Sequence, residues 1–181
     1  MRAVDLAVRD AREADLPRIV AIYNEAIPGH RATADTEPVT VDSRRAWFRE
    51  HTPELRPLWV AERGAAIVGW LSFQSFYGRP AYAATAEVSV YVSGDAQGGG
   101  VGRRLLALAI ERAPGLGLAT LVAFIFGQNE SSLRLFERHG FARWGLLPRV
   151  ARLDGVERDL VILGRRLDGT SAGAPAASPC C

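Results

Sequence analysis

The residues best spaced for chemistry lie between Glu87 and Leu106. Glu87-Val88-Ser89-Val90-Tyr91-Val92 is followed by Ser93-Gly94-Asp95-Ala96, then Gln97-Gly98-Gly99-Gly100-Val101-Gly102, then Arg103-Arg104-Leu105-Leu106. The order reads as strand, turn, glycine loop and helix. Glycines keep side-chain bulk away from the backbone amides, and a helix start offers unpaired N–H donors with a partial positive charge. Such a place holds phosphate or pyrophosphate. Arg103 and Arg104 add charge beside it, and Glu87 puts a carboxylate on the strand that feeds it. A flexible glycine turn ahead of a helix is the plainer alternative; the arginines and the carboxylate weigh against it.

The spacing excludes two nucleotide motifs. A Walker A loop requires Lys then Ser or Thr, and Arg103-Arg104 stand there instead. The loop also does not supply the G-x-G-x-x-G of a dinucleotide site. Gln97-x-x-Gly100-x-Gly102 instead resembles the Q/R-x-x-G-x-G/A pyrophosphate loop of the GNAT N-acetyltransferase superfamily, which holds acetyl-CoA.

The surrounding elements must position these residues. A first strand is expected over Val4 to Val8. Asp15-Leu16-Pro17 reads as a capped helix start, with Leu16, Ile19, Val20, Tyr23 and Ile27 on one face. Thr40 or Asp42 caps a second helix over Ser43 to His51. Pro57 to Glu62 and Ala66 to Phe73 form an antiparallel hairpin. Tyr82 to Val92 is the central strand, and its helix runs to about Ala113. Leu118 to Phe126 is apolar enough for a buried sheet centre. Asn129-Glu130-Ser131-Ser132 opens another helix, closed by His139-Gly140. Phe141 to Ala151 and Arg158 to Gly164 make a last hairpin around Asp154-Gly155. The fold class is α+β, one domain over residues 1–168, with a disordered tail over 169–181 that is rich in small residues and proline.

Composition narrows the function. Among 181 residues, 22 basic and 20 acidic side chains leave a net charge of +2, and no basic face points to nucleic acid. Both cysteines are terminal, Cys180 and Cys181, so neither a disulfide framework nor a zinc site is expected, and no other metal. No signal-peptide core and no membrane-length apolar run is visible, and the cytoplasm is the expected location. His30, His51 and His139 sit at helix ends or loops without a catalytic pattern.

Over residues 4 to 167 the chain resembles the phosphinothricin N-acetyltransferase group of the GNAT superfamily. The resemblance rests on Ile22-Tyr23-Asn24, Thr36-Glu37-Pro38, Trp47-Phe48, Gly69-Trp70, Phe76-Tyr77-Gly78-Arg79-Pro80-Ala81-Tyr82, Thr85-x-Glu87-x-Ser89-x-Tyr91-Val92, the glycine loop, Asn129-x-x-Ser132 and Gly140-Phe141. It implies a GNAT fold, a mixed sheet whose central parallel strands splay apart around acetyl-CoA. The backbone of Val90, Tyr91 and Val92 would pair with the pantetheine arm. Gln97, Gly98, Gly99, Gly100, Val101, Gly102 and Arg103 would hold the pyrophosphate. Asn129, Ser132 and Phe136 would complete the cofactor site, and Asn129 also suits a plain helix cap. Glu87 would be the general base, or else a strand-edge ion-pair carboxylate. Arg79 would meet a substrate carboxylate or phosphinate, with Phe76 and Thr85 on the substrate side; a solvated arginine, a loop anchor and a strand former are the plainer roles.

The resemblance implies acetylation of the amino group of a small amino-acid-like compound such as phosphinothricin or methionine sulfoximine, in a homodimer. Other amine classes, such as a peptide N-terminus, a polyamine or an aminoglycoside, and a non-catalytic acyl-CoA-binding module are the rivals. Two positions depart from the family pattern. Phe136 stands where many members carry a Tyr or His acid, and Val156-Glu157-Arg158-Asp159 stands where some carry an aromatic.

Overall fold

A computed structural model describes residues 6–30 and 32–167. The tail expected over 169–181, and the Val4 and Asp5 end of the first strand, lie outside the described residues. The elements run β1 (Leu6–Asp10), α1 (Leu16–Glu25), α2 (Val41–Arg49), β2 (Leu58–Arg63), β3 (Ala66–Ser75), β4 (Thr85–Val92), α3 (Val101–Arg112), β5 (Thr120–Phe126), α4 (Glu130–Arg138), β6 (Ala142–Leu153) and β7 (Val156–Arg166). They build one mixed seven-stranded sheet in the order β1-β2-β3-β4-β5-β7-β6. Among the described residues only the β4–β5 pairing is parallel.

Strand alternation divides the core into two layers. Trp59 and Ala61 of β2 and Ala86 and Val88 of β4 pack with Leu105, Leu106 and Ala109 of α3 and with Leu133 and Phe136 of α4. The opposite face carries Leu58, Val60 and Trp70 against Ile19 and Ile22 of α1, with Trp47 of α2 alongside. The odd-numbered β4 residues Glu87, Ser89 and Tyr91 share this second face.

Local chemistry moves several expected boundaries. Thr40 caps α2: its Oγ1 accepts from the Ser43 amide at 3.1 Å while Ser43 Oγ accepts from the Thr40 amide at 3.2 Å. The helix therefore spans Val41–Arg49 rather than Ser43 to His51. Asp15 precedes α1 without capping it. Its carboxylate accepts from the Arg12 amide at 2.7 Å and from the Arg9 guanidinium at 2.6 Å. The central strand begins at Thr85, not Tyr82, because Pro80 suits the first position of a tight helical turn over Pro80–Tyr82. That turn is closed by Tyr82 N to Arg79 O at 2.9 Å and Ala83 N to Pro80 O at 3.1 Å. The last hairpin is longer than its apolar pattern suggests. Asp154 (φ 49°) and Gly155 (φ 77°) make its tight turn. The register of β6 on β7 shifts between Leu147 and Ala151, around Pro148, which has no amide to donate.

Leu71 of β3 is fully buried opposite Val90. Leu71→Ala is expected to lose about 2–5 kcal/mol, read as a lower urea midpoint with an unchanged slope.

Candidate active site

The site begins where β4 and β5 part. They pair only through Thr85↔Thr120, Ala86↔Leu121 and Glu87↔Val122. Beyond that point β4 stays with β3 as far as Gly69↔Val92, and β5 stays with β7 as far as Phe126↔Leu160. The Ser93 amide donates to Val68 O at 3.0 Å, whereas Ala84 O accepts from Ala119 across the β5 edge at 2.8 Å. By alternation, residues 87, 89 and 91 belong to the β3 ladder; the Val88 amide closes the last parallel link to Val122, and the Val88 carbonyl with the backbone groups of Val90 and Val92 turns into the gap. The backbone of Tyr91, grouped with Val90 and Val92 from sequence, thus faces β3.

The gap is a cavity of about 310 Å³. Val88 and Val90 line it from β4, and Ala123 and Ile125 from β5. Asn129, Ser132 and Phe136 close it from α4. Val150 and Ala151, at the β6 bulge, and Leu160 of β7 border it on a further side. Asn129 also caps α4, its Oδ1 accepting from the Ser132 amide at 3.2 Å and from Ser131 Oγ at 3.0 Å.

At one end of β4 stands the glycine loop. Gly100 takes a φ of 80°, a left-handed conformation that suits glycine, and precedes α3. The first helical bond runs from the Arg104 amide to Gly100 O at 3.0 Å, leaving the amides of Val101, Gly102 and Arg103 without a helical acceptor. A Cβ on Gly102 would meet Leu135 Cδ2 at 3.2 Å and Val90 and Val92 methyls at 3.7 Å. Glycine there lets the helix start press against the strand end. Arg63, at the end of β2, reaches the outside of this loop: a Cβ on Gly99 would lie 2.9 Å from its Nη2.

A second cavity of about 190 Å³ lies on the α1–α2 face. Its floor is built of the cross-strand pairs Trp70↔Tyr91, Ser72↔Ser89 and Gln74↔Glu87. Tyr23 of α1 and Arg44 and Trp47 of α2 stand over that floor. Trp70 stacks on Tyr91 with centroids 4.5 Å apart at 24°. The Tyr91 hydroxyl donates to Ala32 O at 2.9 Å. Burial pushes the Tyr91 phenol well above its ordinary range.

Glu87, Ser89 and Tyr91 line both cavities. Burial raises the Glu87 carboxyl above the ordinary carboxylate range, and a hydrogen bond from Ser89 opposes part of that rise. A half-buried carboxylate of raised basicity between two cavities is placed to take a proton from a group in one while the other holds its reaction partner.

The remaining residues named from sequence fall around this centre. Phe76 stacks on Phe124, a wall of the larger cavity, with centroids 6.4 Å apart at 12°. Thr85 lies in the paired, closed part of β4–β5. Arg79 is exposed on the loop before β4 and lines neither cavity. Phe136 is buried against Phe141 and offers no O–H to the gap. Sequence reading did not single out Arg44, Trp70, Ser72, Gln74 or Ser89 as functional; the β3 alternation Trp70, Ser72, Gln74 was the available signal. No group of three or more His, Cys, Asp or Glu that could hold a metal is found among the described residues. No helix among them is long and apolar enough to cross a membrane.

A splayed parallel pair, a glycine loop opening a helix, and a carboxylate at the fork define an acyl-CoA-dependent transferase fold, and the chain belongs to the acetyltransferase (GNAT) family, whose profile matches residues 6–141. It is similar, at 53% identity over 163 residues, to YwnH of Bacillus subtilis (strain 168), provisionally named a phosphinothricin acetyltransferase; the match covers 90% of this chain and 99% of that one. An L-methionine sulfoximine/L-methionine sulfone acetyltransferase of Pseudomonas aeruginosa is 38% identical over 165 residues, covering 91% of this chain and 96% of the relative. Among solved structures, a GNAT superfamily phosphinothricin acetyltransferase from Sinorhizobium meliloti in complex with acetyl-CoA matches with a TM-score of 0.86 at 31% identity, covering 95% of this chain and 94% of that one. The protein is an N-acetyltransferase.

The raised Glu87 carboxyl has a consequence for stability. Its folded state keeps the proton to higher pH than the unfolded chain, so stability falls as pH climbs from the unfolded value through the folded one. Glu87→Gln is therefore expected to melt at or above the wild-type temperature at neutral pH, with the difference vanishing in acid. Thermal melts across that range check this, and a variant less stable only at neutral pH would contradict it.

Proposed function

We propose that this enzyme transfers the acetyl group of acetyl-CoA to the amino group of a small amino-acid-like compound such as phosphinothricin or methionine sulfoximine, with Glu87 as general base. The observation that carries this reading is the position of Glu87 on the shared wall of the two cavities. The gap fits the cofactor arm: Val90 and Val92 offer backbone groups to an extended chain as an added strand would. The amides from Gly98 to Arg103 suit the pyrophosphate. Asn129, Ser132 and Phe136 would flank the acyl end. The thioester supplies the acetyl group.

The amine enters from the α1–α2 side. An aliphatic ammonium titrates near ~10, so it must lose a proton before its nitrogen attacks. Glu87, kept more basic by burial, accepts that proton directly or through a water. The Val90 amide, which faces the gap, is the nearest strand donor for the developing oxyanion. The relatives' printed substrates support the amino-acid class. The modest size of the second cavity favours it over an aminoglycoside or an extended polyamine.

Cytoplasmic location and a homodimer complete the proposal. Trp144, Leu146, Leu147 and Val150 are exposed on β6, the outermost strand, and support a second copy as the partner. Sedimentation checks this: Leu146→Asp is expected to shift the protein towards monomer.

A thiol-release assay over phosphinothricin, methionine sulfoximine, free amino acids and a polyamine tests the substrate class. Turnover confined to the polyamine would reject it. Glu87→Gln is expected to lower kcat/KM by roughly 10²–10⁴ with little change in acetyl-CoA affinity. It should also abolish the acidic limb of the pH profile, which in the wild type lies above the ordinary carboxylate range. An acidic limb that survives the substitution would place the base elsewhere.

A further inference from the structure

Arg44 is a cation inside the amine-side cavity that the chemistry so far leaves unused. Its guanidinium lies 4.6 Å from the centroid of the Tyr23 ring and 5.7 Å from that of Trp47. One nitrogen, Nη2, donates to Asp35 Oδ2 at 3.0 Å. The same carboxylate oxygen accepts from the Tyr23 hydroxyl at 2.6 Å. Two aromatic rings and one carboxylate thus fix the plane of the fork, with the side chain 26% exposed. Among the described residues no acceptor other than Asp35 engages it, so the rest of its donors remain open.

We propose that Arg44 binds the α-carboxylate, or the corresponding acidic group, of the acceptor, and thereby restricts the enzyme to zwitterionic amino acids over plain amines. This rests on the transferase reading above and adds the residue that selects its acceptor. An α-amino acid carries its ammonium and its carboxylate on one carbon. The cavity offers a matching pair, Glu87 on its floor and Arg44 over it. Both charges reach the Tyr91 phenol between them, in opposite senses: Arg44 favours its ionisation and Glu87 opposes it. A planar fork suits a carboxylate or phosphinate better than a point charge would. The space, about 190 Å³, equals ~6 waters at their share of ~30 Å³ each, which suits a single amino acid. Arg79 has the right chemistry but lines neither cavity.

The test compares L-methionine sulfone and phosphinothricin with the amine left when the carboxylate of L-methionine sulfone is removed, using the full chain. Wild type, Arg44→Met and Arg44→Lys are assayed for turnover, and titrated calorimetrically with each compound in the presence of CoA. The wild type is expected to prefer the amino acids by ~10²-fold or more, because a missing partner leaves a site's polar group unpaired. Arg44→Met should lose roughly 10–100-fold in kcat/KM on the amino acids, through KM, while the plain amine and the KM for acetyl-CoA are unchanged. Arg44→Lys, which keeps the charge and a partner for Asp35 but not the fork, should recover part of the preference and serves as the folding control. Equal losses on both compounds, or an undiminished preference in Arg44→Met, would overturn the proposal. So would a wild type that binds none of the amino acids. Amino-acid binding that depends on Arg44 without turnover would instead uphold Arg44 and overturn the transferase reading.

Discussion

Everything functional in this molecule depends on β4 and β5 sharing only Thr85 to Glu87 on one side and Thr120 to Val122 on the other. A strand edge inside a sheet is costly because its amides and carbonyls have no partner. Here each parted strand keeps its other edge fully paired, β4 with β3 and β5 with β7, so the sheet behaves as two half-sheets hinged at Glu87 and Val122. The backbone groups without a strand partner are concentrated on the Val88 carbonyl and on Val90 and Val92. A ligand with amide groups in an extended chain can satisfy them, which ties the fold's main irregularity to its binding role.

The fork also explains how one side chain can serve two cavities. On β4 the residues alternate between the α3 layer and the α1–α2 layer. Val88 and Ala86 anchor the strand in the larger core, so the odd positions are held in register on the other face. Glu87 is the last paired residue, and its side chain sits where both cavities reach the strand. One position earlier or later would put the carboxylate into the α3 core, because a shift of one residue changes the face. The desolvation that raises its pKa follows from the same placement.

Much of this was legible because it is local. A glycine loop, a cap such as Thr40 and a turn such as Asp154-Gly155 are written in consecutive residues. Glu87 could be named because the strand, the loop and the family pattern lie within one short stretch. The amine-side cavity was not legible in the same way. Its floor depends on the pairs Trp70↔Tyr91, Ser72↔Ser89 and Gln74↔Glu87, and pairing register between β3 and β4 is set by the loop that joins them. Arg44 reads as one surface arginine in Ser43-Arg44-Arg45, and only the packing of α2 over Trp70 separates it from Arg45, which pairs with Asp42 and Glu13. The border at Val150 and Ala151 lies at a bulge around Pro148, which an alternating pattern does not announce.

Phe136 bears on how the reaction can finish. It is buried at the gap, edge-on to Phe141 with centroids 5.0 Å apart, so α4 offers carbon where an acid would be useful. The proton balance of the reaction does not need one there. An ammonium that ends as an amide gives up two protons. In the proposed mechanism Glu87 takes the first, which frees the lone pair for attack. The second leaves the same nitrogen once it has bonded to the acyl carbon, and the departing thiolate, close by and with a thiol pKa near ~8.5, can accept it. A thiolate of that basicity leaves without being protonated in advance. Under that proposal the apolar ring would keep the acyl end dry and shaped, and the burden of acid–base work would fall on one carboxylate whose basicity is set by burial.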